Sequence, residues 1–219
     1  MQRQAQVELT LGSTSLADNA AMSSESEHGV DLYWLPLGAG GHSVRLNGLV
    51  FEAVVARLER RTACDLYHSA LVVTVPSGRF VIEQAPVRDN DGAKRGVVVE
   101  GAVGSRLAGR FRIFRYEVRR WRNGVIPDVA EAVESPQHLT GDPLLAQRVL
   151  DLVPAVPTLV WGRDESQAGE MWNFNSLTSW LIARSGLHVE LAHPPAGGRA
   201  PGWRAGLMVA CRTQPKADS

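Results

Sequence analysis

Residues 171–186 read MWNFNSLTSWLIARSG. Polar residues open the stretch, an apolar face follows, and Gly186 closes it. That is the pattern of a capped helix with a glycine stop. Its expected partner lies a hundred residues earlier, where residues 65–87 read DLYHSALVVTVPSGRFVIEQAPV. This reads as two strands joined by a Pro-Ser-Gly turn, with His68 at the head of the first strand and Glu83 on the return strand. Residues 71–75 are leucine, valine and threonine only, which predicts a strand covered on both faces. With Ser77-Gly78 as the turn, His68 faces Val87 and Glu83 faces Val72. His68 and Glu83 would then stand about 13 Å apart.

A histidine on a strand that faces a helix N-terminus carries a definite chemistry. The first N–H groups of a helix lack intrahelical partners, and the dipole there favours negative charge. A thiol at that point ionises readily, more so beside an imidazole. The same N–H groups can hold the oxyanion of acyl transfer. A third polar group usually braces the second ring nitrogen of the base.

The segments HSALVVTVPSGRFVIEQAP and WNFNSLTSWL resemble two pieces of the circularly permuted papain-like families, the lecithin:retinol acyltransferase-like proteins and the permuted NlpC-like peptidases. In those families a histidine heads one strand, a polar residue ends the return strand, and a later helix begins Asn-Cys. His68 matches the histidine, Glu83 matches the polar position, and Asn173-Phe174 falls where Asn-Cys is expected. The resemblance spans some forty of the 219 residues in two pieces. It implies an α+β, circularly permuted papain-like (NlpC-like) domain in which a mostly antiparallel sheet packs against helices. It also implies a cleft between His68 and the helix start, with Trp172, Asn173, Phe174 and Asn175 as binding residues.

This chain departs from the family at the decisive position, because Phe174 has no nucleophilic chemistry. Ser176 is the nearest substitute, but it lies about 200° further round a helix, and it also reads as a first-turn capping hydroxyl. Gln84, or a residue of 96–103, is an alternative brace for His68. Three functional expectations follow. The first is a degenerate thiol-hydrolase fold that binds an acyl, peptide or amide ligand without cysteine-dependent cleavage. The second is an active hydrolase or acyltransferase that uses Ser176 with His68. The third is an interaction module built on the basic segment 110–122, RFRIFRYEVRRWR.

Composition narrows the field. There are 23 basic and 23 acidic residues, so no global charge points to nucleic acid. No apolar run reaches the ~18 residues of a membrane span, and residues 1–30 lack the apolar core of a secretory signal. The two cysteines, Cys64 and Cys211, form no metal or redox spacing, and the histidines show no HExxH. The expectation is a cytoplasmic protein with no metal and no cofactor. A Cys64–His68 pair would be about 13 Å apart on an extended chain, and Cys211 reads as a packed small residue.

The remaining elements follow from local pattern. Residues 1–29 read as a flexible segment, 30–211 as one domain and 212–219 as a tail. Residues 32–37 predict an edge strand, closed by Gly38, Gly40 and Gly41, which lack the spacing of a phosphate loop. Residues 49–60 predict an amphipathic helix and 89–95 a polar turn. Residues 96–103 predict a strand, and 110–122 another, with Phe114, Tyr116 and Val118 facing in and Arg115, Glu117 and Arg119 facing out. Asn123-Gly124 is a turn, and 125–133 a short strand. Asp142 and Pro143 start a helix that runs to Val153, with Leu144, Leu145, Val149 and Leu152 on its apolar stripe. Residues 157–162 read as extended, 176–184 as helix, and 188–191 and 203–211 as late strands. Trp161 and Trp172 either wall an apolar cleft or belong to the core.

Overall fold

The computed structural model describes residues 28–37, 64–87 and 96–212. Residues 1–27 of the predicted N-terminal segment, the glycine turn at 38–41, the helix at 49–60, the turn at 89–95 and nearly all of the tail lie outside these residues, and Gly29 already belongs to a strand. The described chain is α+β. Its strands are β1 (Gly29–Pro36), β2 (Tyr67–Val75), β3 (Gly78–Pro86), β4 (Val97–Ala102), β5 (Arg115–Arg122) and β6 (Gln137–Thr140). They form one sheet in the order β4-β5-β3-β2-β1-β6, with every paired neighbour antiparallel. Three α-helices follow: α1 (Pro143–Leu152), α2 (Phe174–Ser185) and α3 (Trp203–Arg212).

The alternation of β2 places Leu71 and Val73 in the main core and Ala70 and Val72 in a second, smaller cluster. The sheet is therefore covered on both faces at its centre, as the unbroken valine run requires. The main core joins these residues to Trp34, Ile82, Tyr116 and Val118 of the sheet and to Val149, Leu177, Leu181 and Ile182 of the helices. The second cluster adds Leu35, Val81 and Ile126.

The hairpin turn is Pro76-Ser77, one residue earlier than expected. Val75 pairs with Gly78 and Val72 with Val81, not Glu83. Pairing between β2 and β3 stops at Leu71↔Ile82. Beyond it β2 continues against β1, where Leu35 faces His68, and β3 continues against β5, where Glu83 faces Arg119. The sheet is thus forked at its centre, and the site lies at that fork.

Several sequence expectations are corrected. The strand predicted at 32–37 starts earlier and is not the last in the sheet: β6 pairs with Val30–Leu32 of β1, and the Trp34 backbone is bonded by Val133 and Ser135. Residues 110–114 leave the strand as two single-turn 3-10 helices, and Phe114 is exposed. Glu117 and Arg119 do not face water but are buried as an ion pair, because that face of the sheet is covered too. Residues 125–133 contain a 3-10 turn at Val129–Glu131 in place of a strand, and 188–191 contain another at Val189–Leu191. On α1, Asp142 caps as expected by accepting from the Leu144 N–H at 2.8 Å, but Leu144 itself is exposed and Ala146 and Leu150 are buried in its place. Cys211 is exposed, not packed, and Cys64 and Cys211 form no disulfide.

The largest correction is α3, expected as a strand. Its buried residues are Ala205, Gly206 and Ala210. These sit at helical spacing, but they are too small to register as an apolar stripe. They allow close approach to α2: a Cβ added at Gly206 would lie 2.1 Å from the Ser176 carbonyl oxygen and from the Ser179 hydroxyl. Gly206→Ala is therefore expected to destabilise the protein by about 3 kcal/mol, the upper range for overpacking. Thermal unfolding should show a fall in Tm of roughly 6–12 °C. An unchanged Tm would mean that the two helices do not pack this closely.

Candidate functional site

The site is built at the start of α2. Asn173 is the N-cap, and its side-chain oxygen accepts from the N–H groups of Asn175 and Ser176 at 2.9 and 3.3 Å. Ser176 reciprocates as the third residue of a capping box, its hydroxyl accepting from the Asn173 N–H at 3.1 Å. The Ser176 hydroxyl also donates to the Gly202 carbonyl at 2.7 Å and lies 3.3 Å from that of Met171. Ser176 is completely buried. Its contacts are those of a cap, and no water-facing nucleophile is presented there.

Asn175 locks this helix end to the sheet. Its amide nitrogen donates to the carbonyls of Tyr67 and Pro201, each at 2.9 Å, and its oxygen accepts from the Ser69 hydroxyl at 2.9 Å. All four predicted binding residues are thus placed at one corner, with Trp172, Asn173 and Asn175 buried and Phe174 partly exposed.

Phe174 is the first residue of α2, and it meets His68. The ring centroids are 5.2 Å apart at 55°. On its other side Phe174 takes the edge of Trp161, at 5.2 Å and 85°, and Trp161 in turn meets Tyr116 at 5.7 Å and 71°. These separations and tilts lie within the favourable range for aromatic pairs. Trp161 is placed by backbone bridges to Val103 and to Trp172. Tyr116 is fixed by its hydroxyl, which donates to the Leu159 carbonyl at 2.8 Å, and burial pushes its phenol up to about 12. Trp172 is buried in the main core, and Trp161, partly exposed, packs against that core and against Phe174.

His68 is only partly exposed, and its Nδ1 is buried with no hydrogen-bond partner. Burial lowers its pKa from 6.5 to about 4, against a weaker raising influence of Asp128. At neutral pH it is an uncharged imidazole, in the form that accepts a proton or a hydrogen bond. Glu83 does not brace it. The Glu83 carboxylate is held by Arg119 on the facing strand at 2.8 Å, and Arg119 also pairs with Glu117. Gln84, named as an alternative brace, faces Val118 from β3. It is buried, and both polar atoms of its amide lack a partner. His68 on β2 and Gln84 on β3, the two strands that part at the fork, thus each carry buried polar atoms without a hydrogen-bond partner.

Two contributors went unread in the sequence. Ser69 was overlooked beside His68, although alternation places its hydroxyl on the opposite side of the strand, towards Asn175. The Pro201-Gly202 corner reads locally as a turn, with no cap residue to announce the helix that follows. A Cβ on Gly202 would lie 2.3 Å from the Asn173 side-chain oxygen, so this corner must be glycine to support the cap. No family model, no curated protein and no solved structure matches the chain.

Two outcomes are expected. Ser176→Ala should cost about 1–2 kcal/mol through the lost cap and the unpaired Gly202 carbonyl, read as a lower urea midpoint with unchanged m-value. For His68, the folded form binds its proton less readily than the unfolded chain. Its contribution is fully present above pH 6.5 and is lost as pH falls towards 4, by about 2–3 kcal/mol. His68→Gln should flatten the fall in stability between those pH values by that amount. Identical pH profiles for the two proteins would rule out the buried neutral imidazole.

Proposed function

We propose that this chain is a degenerate, circularly permuted papain-like domain of the NlpC-like kind, which binds an acyl, peptide or amide ligand in the residual cleft and does not cleave it by cysteine chemistry. One observation carries the reading. The His68 ring stands against the first residue of the capped helix α2, the relation that a base and its nucleophile require, and that first residue is Phe174. The ligand's apolar part would lie along Phe174 and Trp161. Its polar part would meet the imidazole and the Gln84 amide, both of which have buried atoms awaiting partners. An amide or an acyl carbonyl next to an N–H or hydroxyl donor has the right complement of groups for that pair. A serine-based hydrolase is the less favoured reading, since the Ser176 hydroxyl is buried and donates to Gly202.

The test restores the missing thiol. Native protein and Phe174→Cys are compared on a panel of activated acyl esters and short peptides. The native protein is expected to be inert, and Phe174→Cys to turn over at least one acyl ester. Adding His68→Gln to Phe174→Cys should lower that rate about 100-fold, the usual size of a general-base contribution. Native turnover that disappears in Ser176→Ala would replace this reading with the serine enzyme. Inertness of Phe174→Cys would remove His68 and residue 174 as a catalytic pair.

A further inference from the structure

Residues 105–115 read SRLAGRFRIFR, with four arginines and no carboxylate, in a chain whose charges balance overall. The segment leaves the sheet between β4 and β5 and folds into two successive 3-10 turns, Ala108–Arg110 and Arg112–Phe114. It is held in shape. The Ala108 N–H donates to the Ser105 hydroxyl at 3.1 Å, Arg115 Nε donates to the Gly109 carbonyl at 2.6 Å, and the Val103 N–H closes the base on the Phe114 carbonyl at 2.8 Å. On this tip Leu107, Phe111 and Ile113 are 69%, 66% and 77% exposed. Large side chains concentrated in so few residues and left this open are not the scattered surface hydrophobics of an ordinary monomer.

Charge surrounds them. Arg106 is held at the base by Glu165, at 2.9 and 3.1 Å, and Arg115 by Glu100 at 3.3 Å. Arg110 stands next to Phe111, between it and Leu107 in the chain. We propose that this tip docks the protein on an anionic lipid surface, with Leu107, Phe111 and Ile113 entering the boundary between headgroups and acyl chains and the arginines meeting lipid phosphates. Interleaved aromatic, aliphatic and basic residues are what such a boundary selects. A projecting apolar tip needs no matching groove in a bilayer, whereas a protein partner would have to supply one lined with carboxylates. Among the described residues no helix is long and apolar enough to cross a membrane, so the attachment is peripheral. The proposal is independent of what occupies the cleft at His68 and Phe174.

The test is co-sedimentation of the full chain with phosphatidylcholine vesicles, with and without phosphatidylglycerol. Binding is expected only when phosphatidylglycerol is present, and it should weaken as salt is raised. The double variant Phe111→Ser/Ile113→Ser should bind about tenfold more weakly or worse through lost apolar burial. Arg110→Glu should lose a similar factor through reversed charge. Because these side chains are exposed, each variant should keep the native melting temperature. Absence of native binding to the anionic vesicles would overturn the proposal, as would equal binding by native and variant proteins. Equal partition onto neutral vesicles would overturn it too, and so would binding of a single-stranded oligonucleotide in place of vesicles.

Discussion

The architecture turns on one buried amide. Asn175 is 1% exposed and spends both N–H donors and its carbonyl on partners in other elements: Tyr67 and Ser69 on β2, and Pro201 on the approach to α3. A buried amide of this kind tolerates only one arrangement, because each lost partner leaves a desolvated polar group behind. It fixes where α2 starts relative to the strand that carries His68. Asn173, Ser176 and Ser179 extend the constraint along the helix, the two serines donating to the Gly202 and Trp203 carbonyls at 2.7 Å. The meeting of His68 with Phe174 is therefore imposed by polar groups that are bonded elsewhere, on β2 and at the approach to α3.

The two faces of the sheet settle their polar residues in different ways. On the helix side, Asn175 and its neighbours are matched bond for bond. On the other side Arg119 sits between Glu83 and Glu117, a charged cluster almost withdrawn from water. Desolvating three charges is costly unless the geometry is close, and removing only one member would strand the others. Glu83 is committed to that cluster. The polar atoms left over in the fork belong to His68 and Gln84, both neutral. Both are side chains with hydrogen-bonding capacity and no charge at neutral pH.

What the sequence revealed follows from how local each signal is. The cap of α1 at Asp142-Pro143 and the start of α2 at Asn173 are written in adjacent residues, so both were readable. The hairpin of β2 and β3 was readable as well, but its register slipped by one, because Ser-Gly and Pro-Ser are both acceptable turn pairs within the same three residues. α3 was missed because helix packing there depends on Ala205, Gly206 and Ala210, whose importance is the absence of bulk. The segment 110–122 looks continuous because basic and apolar residues interleave throughout, but the apolar phase flips between Ile113 and Phe114, and only the part from Arg115 has a partner strand. The inward and outward faces of β5 failed at Glu117 and Arg119 for a tertiary reason: their ion pairing makes burial tolerable, and pairing across strands is invisible in sequence. At the site, His68 and Phe174 could be brought together on paper because capped helix and histidine strand were each recognisable. The role of Glu83 could not be known without Arg119.

The fork in the sheet gives this fold a mechanical character. The strands β3-β5-β4 and β2-β1-β6 are two three-stranded ribbons stitched by only five residue pairs, Leu71↔Ile82 to Val75↔Gly78. Above the last stitch the ribbons diverge, and the aromatic group of His68, Phe174 and Trp161 stands at the divergence. Helix α2 packs against both β2 and β3, so it spans the seam that those five pairs close.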